Sequence, residues 1–288
     1  VNLVVDAKAR LAEGPVWDER SSTLWWVDID GQTLHAYQES GENDRVWQVG
    51  AKVGAAVPRD AGGMVLGTSD GLELFDLETS TRTTIADPEQ QIPTNRFNDG
   101  KCDARGRFWA GTLSMVRQPN AAALYVLEPD HTVRQILTDV TTSNGLGWSP
   151  DQKTMYYIDT PTLMIRAFDF AVDAGTLANE RTVVTFPDGV GRPDGMTVDA
   201  DGMIWVAHWD GGRVTSWNPD TGKLLTTVAL PADRVTSCTF GGPQLKTLYI
   251  TTAREGLSER QLAEQPYAGG VFALSTNVGG LPAFRFAG

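Results

Sequence analysis

Four side chains able to donate oxygen stand at matched places in this sequence: Glu13, Asn98, Asn144 and Asp194. Glycine follows each within two residues, in Glu13-Gly14-Pro15, Asn98-Asp99-Gly100, Asn144-Gly145-Leu146 and Asp194-Gly195-Met196. Singly these are ordinary turn formers. Their spacing sets them apart, because each lies ten or eleven residues before an apolar, often aromatic run, beginning at Leu24, Phe108, Met155 or Ile204. The same count back from further runs at Met64 and Leu248 reaches the small Val53 or Gly54, and Cys238. Several carboxylate and carboxamide oxygens brought into one partly buried place repel or go unsatisfied unless a cation neutralises the charge and uses the lone pairs. The pattern therefore predicts a bound metal. An oxygen-only set suits a hard divalent ion that keeps several waters, not a closed zinc site of thiolates and imidazoles. Ca, Mg, Mn and Fe(II) accept such donors and Zn can as well, so the reading is of one divalent metal ion without its identity.

For these residues to converge, equivalent elements of a repeated unit must carry them. Thirty glycines and fifteen prolines cut the chain into short apolar runs rich in Val, Trp, Tyr, Thr and Ile, which is a strand vocabulary. The runs starting at Leu24, Met64, Phe108, Met155, Ile204 and Leu248 recur every 40 to 49 residues. A second run follows each, and fainter later strands such as Val133 to Leu137 and Leu224 to Val228 raise the count to about four per unit. Four-stranded sheets at this period predict an all-β fold, a six-bladed β-propeller of antiparallel blades around a central channel, spanning 1–288 as a single domain. In such a ring the first strand of every blade lines the channel, which is where the matched residues fall. Leu3-Val4-Val5 is expected to add a strand beside the final repeat and close the ring. Only Ser258 to Glu264 reads as helix. A β-sandwich or two β domains is the plainer alternative.

Composition removes whole classes of function. The 36 acidic and 24 basic residues leave a formal charge of -12, and no Lys/Arg-rich run offers a footprint for nucleic acid or an anionic membrane. No apolar run approaches the ~18 residues of a spanning helix. Cys102 and Cys238 are the only cysteines and make neither a disulfide framework nor a metal pair, and no Asn-x-Ser/Thr sequon is present. A soluble, cytoplasmic protein is expected.

The residues also resemble a known family. Leu11-Ala12-Glu13-Gly14-Pro15-Val16-Trp17, Arg96-Phe97-Asn98-Asp99-Gly100, Ser143-Asn144-Gly145, Arg192-Pro193-Asp194-Gly195-Met196 and the tail from Thr236 through Gly242 to Thr251 to Leu257 look, in order, like the regucalcin / gluconolactonase (senescence marker protein) family. That resemblance implies a six-bladed propeller that hydrolyses sugar lactones with one divalent metal. By it, Glu13, Asn144 and Asp194 match the metal ligands, while Arg96 and Asn98 match side chains that hold substrate or water. Leu113-Ser114-Met115-Val116 departs from the family where the vertebrate member carries an acidic residue, so sugar contacts there should differ.

The reaction expected is hydrolysis of a pentono- or hexonolactone to the aldonic acid, with Asp194 as general base. Two other readings stand beside it: a non-catalytic divalent-metal-binding propeller, and an aryl-ester or organophosphate hydrolase on the same scaffold. Individual residues carry plainer readings too. Arg96 suits a rim ion pair, Asp99 a cap for its own strand, and His208 a packed pocket wall, set against a second base in each of the last two cases. The nine tryptophans read mostly as blade filler, with one or two available to stack on a sugar face.

Overall fold

In the computed structural model, which describes residues 1–39 and 44–288, the repeats are six four-stranded antiparallel sheets. Their innermost strands are Ala12–Asp18, Val53–Pro58, Asn95–Cys102, Ser143–Trp148, Arg192–Val198 and Val235–Gly241. Each packs against the next, and Val235–Gly241 returns to Ala12–Asp18, so the six line a closed channel. The periodic apolar runs form the second strands, from Thr23–Asp28 in the first blade to Thr247–Thr252 in the sixth. Asn2–Val5 pairs antiparallel with Val271–Ser275 and completes the sixth blade, as Leu3-Val4-Val5 promised.

Burial explains why some strands are plain in the sequence and others faint. Inner strands have sheets on both sides and are apolar or small nearly throughout, whereas outer strands such as Lys223–Ala229 are almost wholly exposed. Facing blades share their cores. Trp25, Val27 and Trp47 of the first blade pack with Met64, Leu66 and Phe75 of the second, and Trp109 and Leu124 of the third with Trp148 and Tyr157 of the fourth. Each large side chain so buried contributes roughly 1.5–3 kcal/mol, which no blade could gain alone. Helix appears at Glu259–Glu264, where Ser258 and Gln261 form a capping box.

The segment after the last blade crosses the channel end at which the innermost strands finish. It leaves the fifth and sixth blades at Gly280, whose N–H donates to Leu245, while Gly279 accepts from Ala200 at 2.9 Å. It lands on the first three blades, where Phe286 exchanges hydrogen bonds with Pro58 and Asp60, Ala287 N–H donates to Gly106, and Arg285 pairs with Asp18 at 2.7 Å. Phe286 is wholly buried. One mouth of the channel is therefore strapped, and the other lies where the innermost strands begin.

Candidate active site

All six innermost strands break register near their starts. The pairing skips between Glu13 and Val16, Val53 and Ala55, Phe97 and Gly100, Ser143 and Leu146, Pro193 and Met196, and Val235 and Ser237. Such bulges re-aim side chains and are common beside functional sites. Glu13, Asn98, Asn144 and Asp194 all sit at these breaks, so one backbone irregularity, repeated by blade, turns them toward the same end of the channel. The glycines make the breaks pack: a Cβ on Gly54 would stand 2.4 Å from the carbonyl oxygen of Asn98, and one on Gly145 2.8 Å from that of Asp194. In the sixth blade the break falls at Thr236, not at Cys238 as counting back from Leu248 implied. Thr236 Oγ1 donates to Ala12 across the ring seam, and the Cys238 thiol turns to the carbonyl of Trp205, where burial pushes its pKa up to about 12.

The amides are held in a relay. Arg96 Nη1 donates to Asn98 Oδ1 at 2.7 Å and to the carbonyl of Phe97. Asn98 Nδ2 donates to Asn144 Oδ1 at 2.9 Å and to the carbonyl of Ser143. Asn144 Nδ2 donates in turn to Thr160 Oγ1 at 2.7 Å, which donates to the carbonyl of Pro193, the neighbour of Asp194. The chain of bonds fixes the orientation of both amides and leaves Asn144 Oδ1 a second lone pair. Both hydrogens of the Asn98 amide are committed within the protein, so its capacity to hold water or a substrate hydroxyl rests on one lone pair of Oδ1. Thr160 carries no mark in the sequence, because a loop threonine gains its role only through this contact.

Glu13, Asp194 and Asp99 are all buried. Burial raises the Glu13 pKa to about 8, reinforced by the negative charge of Asp99 and opposed by the Gly14 N–H at 3.0 Å. Burial first, then Glu13 and Asp99, push the Asp194 pKa well above the carboxylate range. Asp99 caps the Gly100 N–H at 2.7 Å through Oδ1, while its Oδ2 is buried without a partner. It thus caps its own strand and also adds a third negative charge. Arg96, Lys101 and, beside Asp194, Arg192 are the cations nearby, and burial lowers the pKa of the first two. The donor chemistry fits a divalent cation, because such an ion would reverse the desolvation that raises every one of these carboxyls. Among the described residues no three His, Cys, Asp or Glu side chains could hold an ion by themselves. An ion at this place would thus draw a protein donor from a carboxamide, and Asn144 Oδ1 is oriented for it.

His208 lies elsewhere. It is fully buried, 5.3 Å from the Phe186 ring, with Nε2 against Thr215 Oγ1 at 2.6 Å. Burial, and secondarily Arg213, lower its pKa from 6.5 to about 4. The unfolded chain therefore binds a proton that the folded one refuses between these values, and stability falls as pH drops from about 6.5 to about 4. The expected loss is on the order of 3 kcal/mol. Urea melts across that range should show it in the parent protein and a flattened dependence in His208→Gln.

A six-bladed ring with a buried, bulge-mounted oxygen cluster at the end where its innermost strands begin places the chain among channel-site propellers. Residues 11–254 match the SMP-30/Gluconolactonase/LRE-like region, and the chain belongs to that family. It is 42% identical over 291 residues to regucalcin of Danio rerio, covering 100% of this chain and 98% of that protein. It is 40% identical over 286 residues to a Bacillus subtilis (strain 168) protein provisionally named sugar lactone lactonase YvrE, covering 99% and 98%. The crystal structure of a calcium-binding protein, regucalcin, from Agrobacterium tumefaciens superimposes with a TM-score of 0.94 at 27% identity, covering 99% and 96%.

Proposed function

We propose that this protein is a metal-dependent sugar lactonase that opens a pentono- or hexonolactone to the free aldonic acid. The observation that carries the reading is the hydrogen-bonded relay from Arg96 through Asn98 and Asn144 to Thr160, set beside the mutually repelling carboxyls of Glu13 and Asp194. Family membership and the lactonase name of a relative support it.

Glu13, Asn144 and Asp194 would hold one divalent cation. When bound, such an ion supplies Lewis acidity, drawing charge from a carbonyl oxygen and making a water more acidic. Asp194 takes the proton of the attacking water as general base. The water oxygen adds to the lactone carbon, the ring C–O bond breaks, and the proton passes to the departing ring oxygen, leaving a hydroxy acid. Arg96 keeps guanidinium hydrogens beyond those in the relay and uses them on ring hydroxyls or the new carboxylate. Asn98 orients Asn144 and Arg96. A merely metal-binding scaffold would have no use for the arginine, and an apolar aryl-ester site would be poorly served by it.

The test is acid release, followed with a pH indicator, from pentono- and hexonolactones and from an aryl ester with added Ca, Mg, Mn, Zn or Fe(II). Metal-dependent opening of at least one sugar lactone above the spontaneous rate is expected, with the aryl ester untouched. Metal binding without turnover of any lactone would overturn the reading. Arg96→Gln should lower kcat/KM by roughly tenfold to a hundredfold, the range for losing hydrogen bonds from a charged donor.

A further inference from the structure

We propose that the strapped end of the channel is a second binding site, for a short-chain hydroxycarboxylate. A cavity of about 80 Å³ lies there, walled by innermost-strand residues such as Val16, Val57 and Lys101 and roofed by Leu281 to Phe284 of the strap. Glu13, Asn144 and Asp194 do not line it, and Lys101, whose ammonium also feels Asp99 and Glu13, stands between the two places. Three polar groups on its wall have capacity to spare. Lys101, the one charged residue of the lining, donates from Nζ to the carbonyl of Met196 and retains two further hydrogens. Trp148 is 6% exposed, and its indole Nε1 is buried without an acceptor. Gln152 is tethered through Nε2 to the carbonyl of Ser149 at 3.2 Å, which leaves its buried Oε1 without a donor.

Unpaired buried polar atoms are rare and costly, and two of opposite kind, beside an ammonium in a largely apolar cavity that Thr197 and Thr239 also line, define a ligand by complement. A carboxylate would accept from Lys101 and the indole N–H. A hydroxyl on the same small molecule would donate to Gln152 Oε1. Its carbon skeleton would meet Val57, Pro282 and Phe284. A simple fatty acid leaves Gln152 unsatisfied, and a neutral polyol forgoes the charge-assisted bond that the two remaining Lys101 hydrogens offer, Asp99 and Glu13 being the counter-charges already acting on that ammonium.

The probe is 2-hydroxyisobutyrate, titrated into the intact protein while the indole N–H resonance of Trp148, assigned with Trp148→Phe, is followed by NMR. A saturable shift is expected, with binding weakened about tenfold for isobutyrate, which lacks the hydroxyl, and for the uncharged 2-hydroxyisobutyramide. Lys101→Met should weaken binding of the probe as much. Gln152→Leu, at a half-buried position, should abolish the preference over isobutyrate while the other indole resonances stay in place. An unmoved Trp148 resonance at about 100 mM probe, or equal binding of acid and amide, would overturn the proposal.

Discussion

Asp194→Asn lowers kcat for lactone opening about a thousandfold and leaves the protein folded. The magnitude follows from losing a positioned base, worth roughly 10²–10⁴, together with an anionic metal donor. Asparagine preserves the shape and removes the charge, so the bulge at Pro193 to Met196 and the relay through Thr160 persist. In metal-free protein the substitution also removes the carboxyl whose ionisation burial, Glu13 and Asp99 all oppose, and the melting temperature should hold or rise. The check is a pair of measurements on one preparation: initial rates with the best lactone and metal, and a thermal melt without metal. Retention of more than a tenth of the parental rate would sink the assignment of Asp194. A loss of rate accompanied by unfolding would be answered by Asp194→Glu, which keeps the charge and should recover part of the rate.

Removing divalent metal should be equally severe. After chelation and buffer exchange, opening of lactones should fall to the spontaneous rate and return when metal is added. A structural readout accompanies this one. Glu13, Asp99 and Asp194 share a buried space in which each disfavours the charge of the others, so a cation stabilises the folded form selectively. At about a hundredfold excess over Kd the gain is roughly 2.7 kcal/mol, or about 5 °C in melting temperature for a chain of this size. Glu13→Gln should remove most of that shift while raising the melting temperature of the metal-free protein, because one of the repelling carboxyls is gone. A metal-induced shift unchanged in Glu13→Gln would place the ion somewhere else.

The inner half of each blade is written clearly in the sequence and the outer half is not. Second strands such as Ile204–Trp209 are buried almost throughout and must be apolar, so their period survives. Arg82–Ala86, the outer strand of the second blade, is half-buried at most and sends only Ile85 into the core shared with the third blade, so it leaves no comparable signal. Glu13, Asn98, Asn144 and Asp194 are legible for the same geometric reason: a bulge at a fixed place in equivalent strands is a fixed distance in sequence. Cys238 shows where that logic slips, because in the last blade the bulge lies two residues earlier, at Thr236. Thr160, Lys101 and the partnerless oxygen of Asp99 owe their significance to contacts across blades or to buried charge, and neither leaves a mark on spacing.

The pairing of Asn2–Val5 with Val271–Ser275 governs when this molecule can finish folding. During synthesis on a ribosome, a strand made early must wait, without its eventual neighbour, until nearly all the rest has emerged. Five sheets can assemble locally as they appear, whereas the sixth demands the contact of highest sequence separation and its full loop-closure entropy. The sixth blade therefore completes last, and the edge at Val271–Ser275 is the stretch most in need of chaperone cover until the two segments meet.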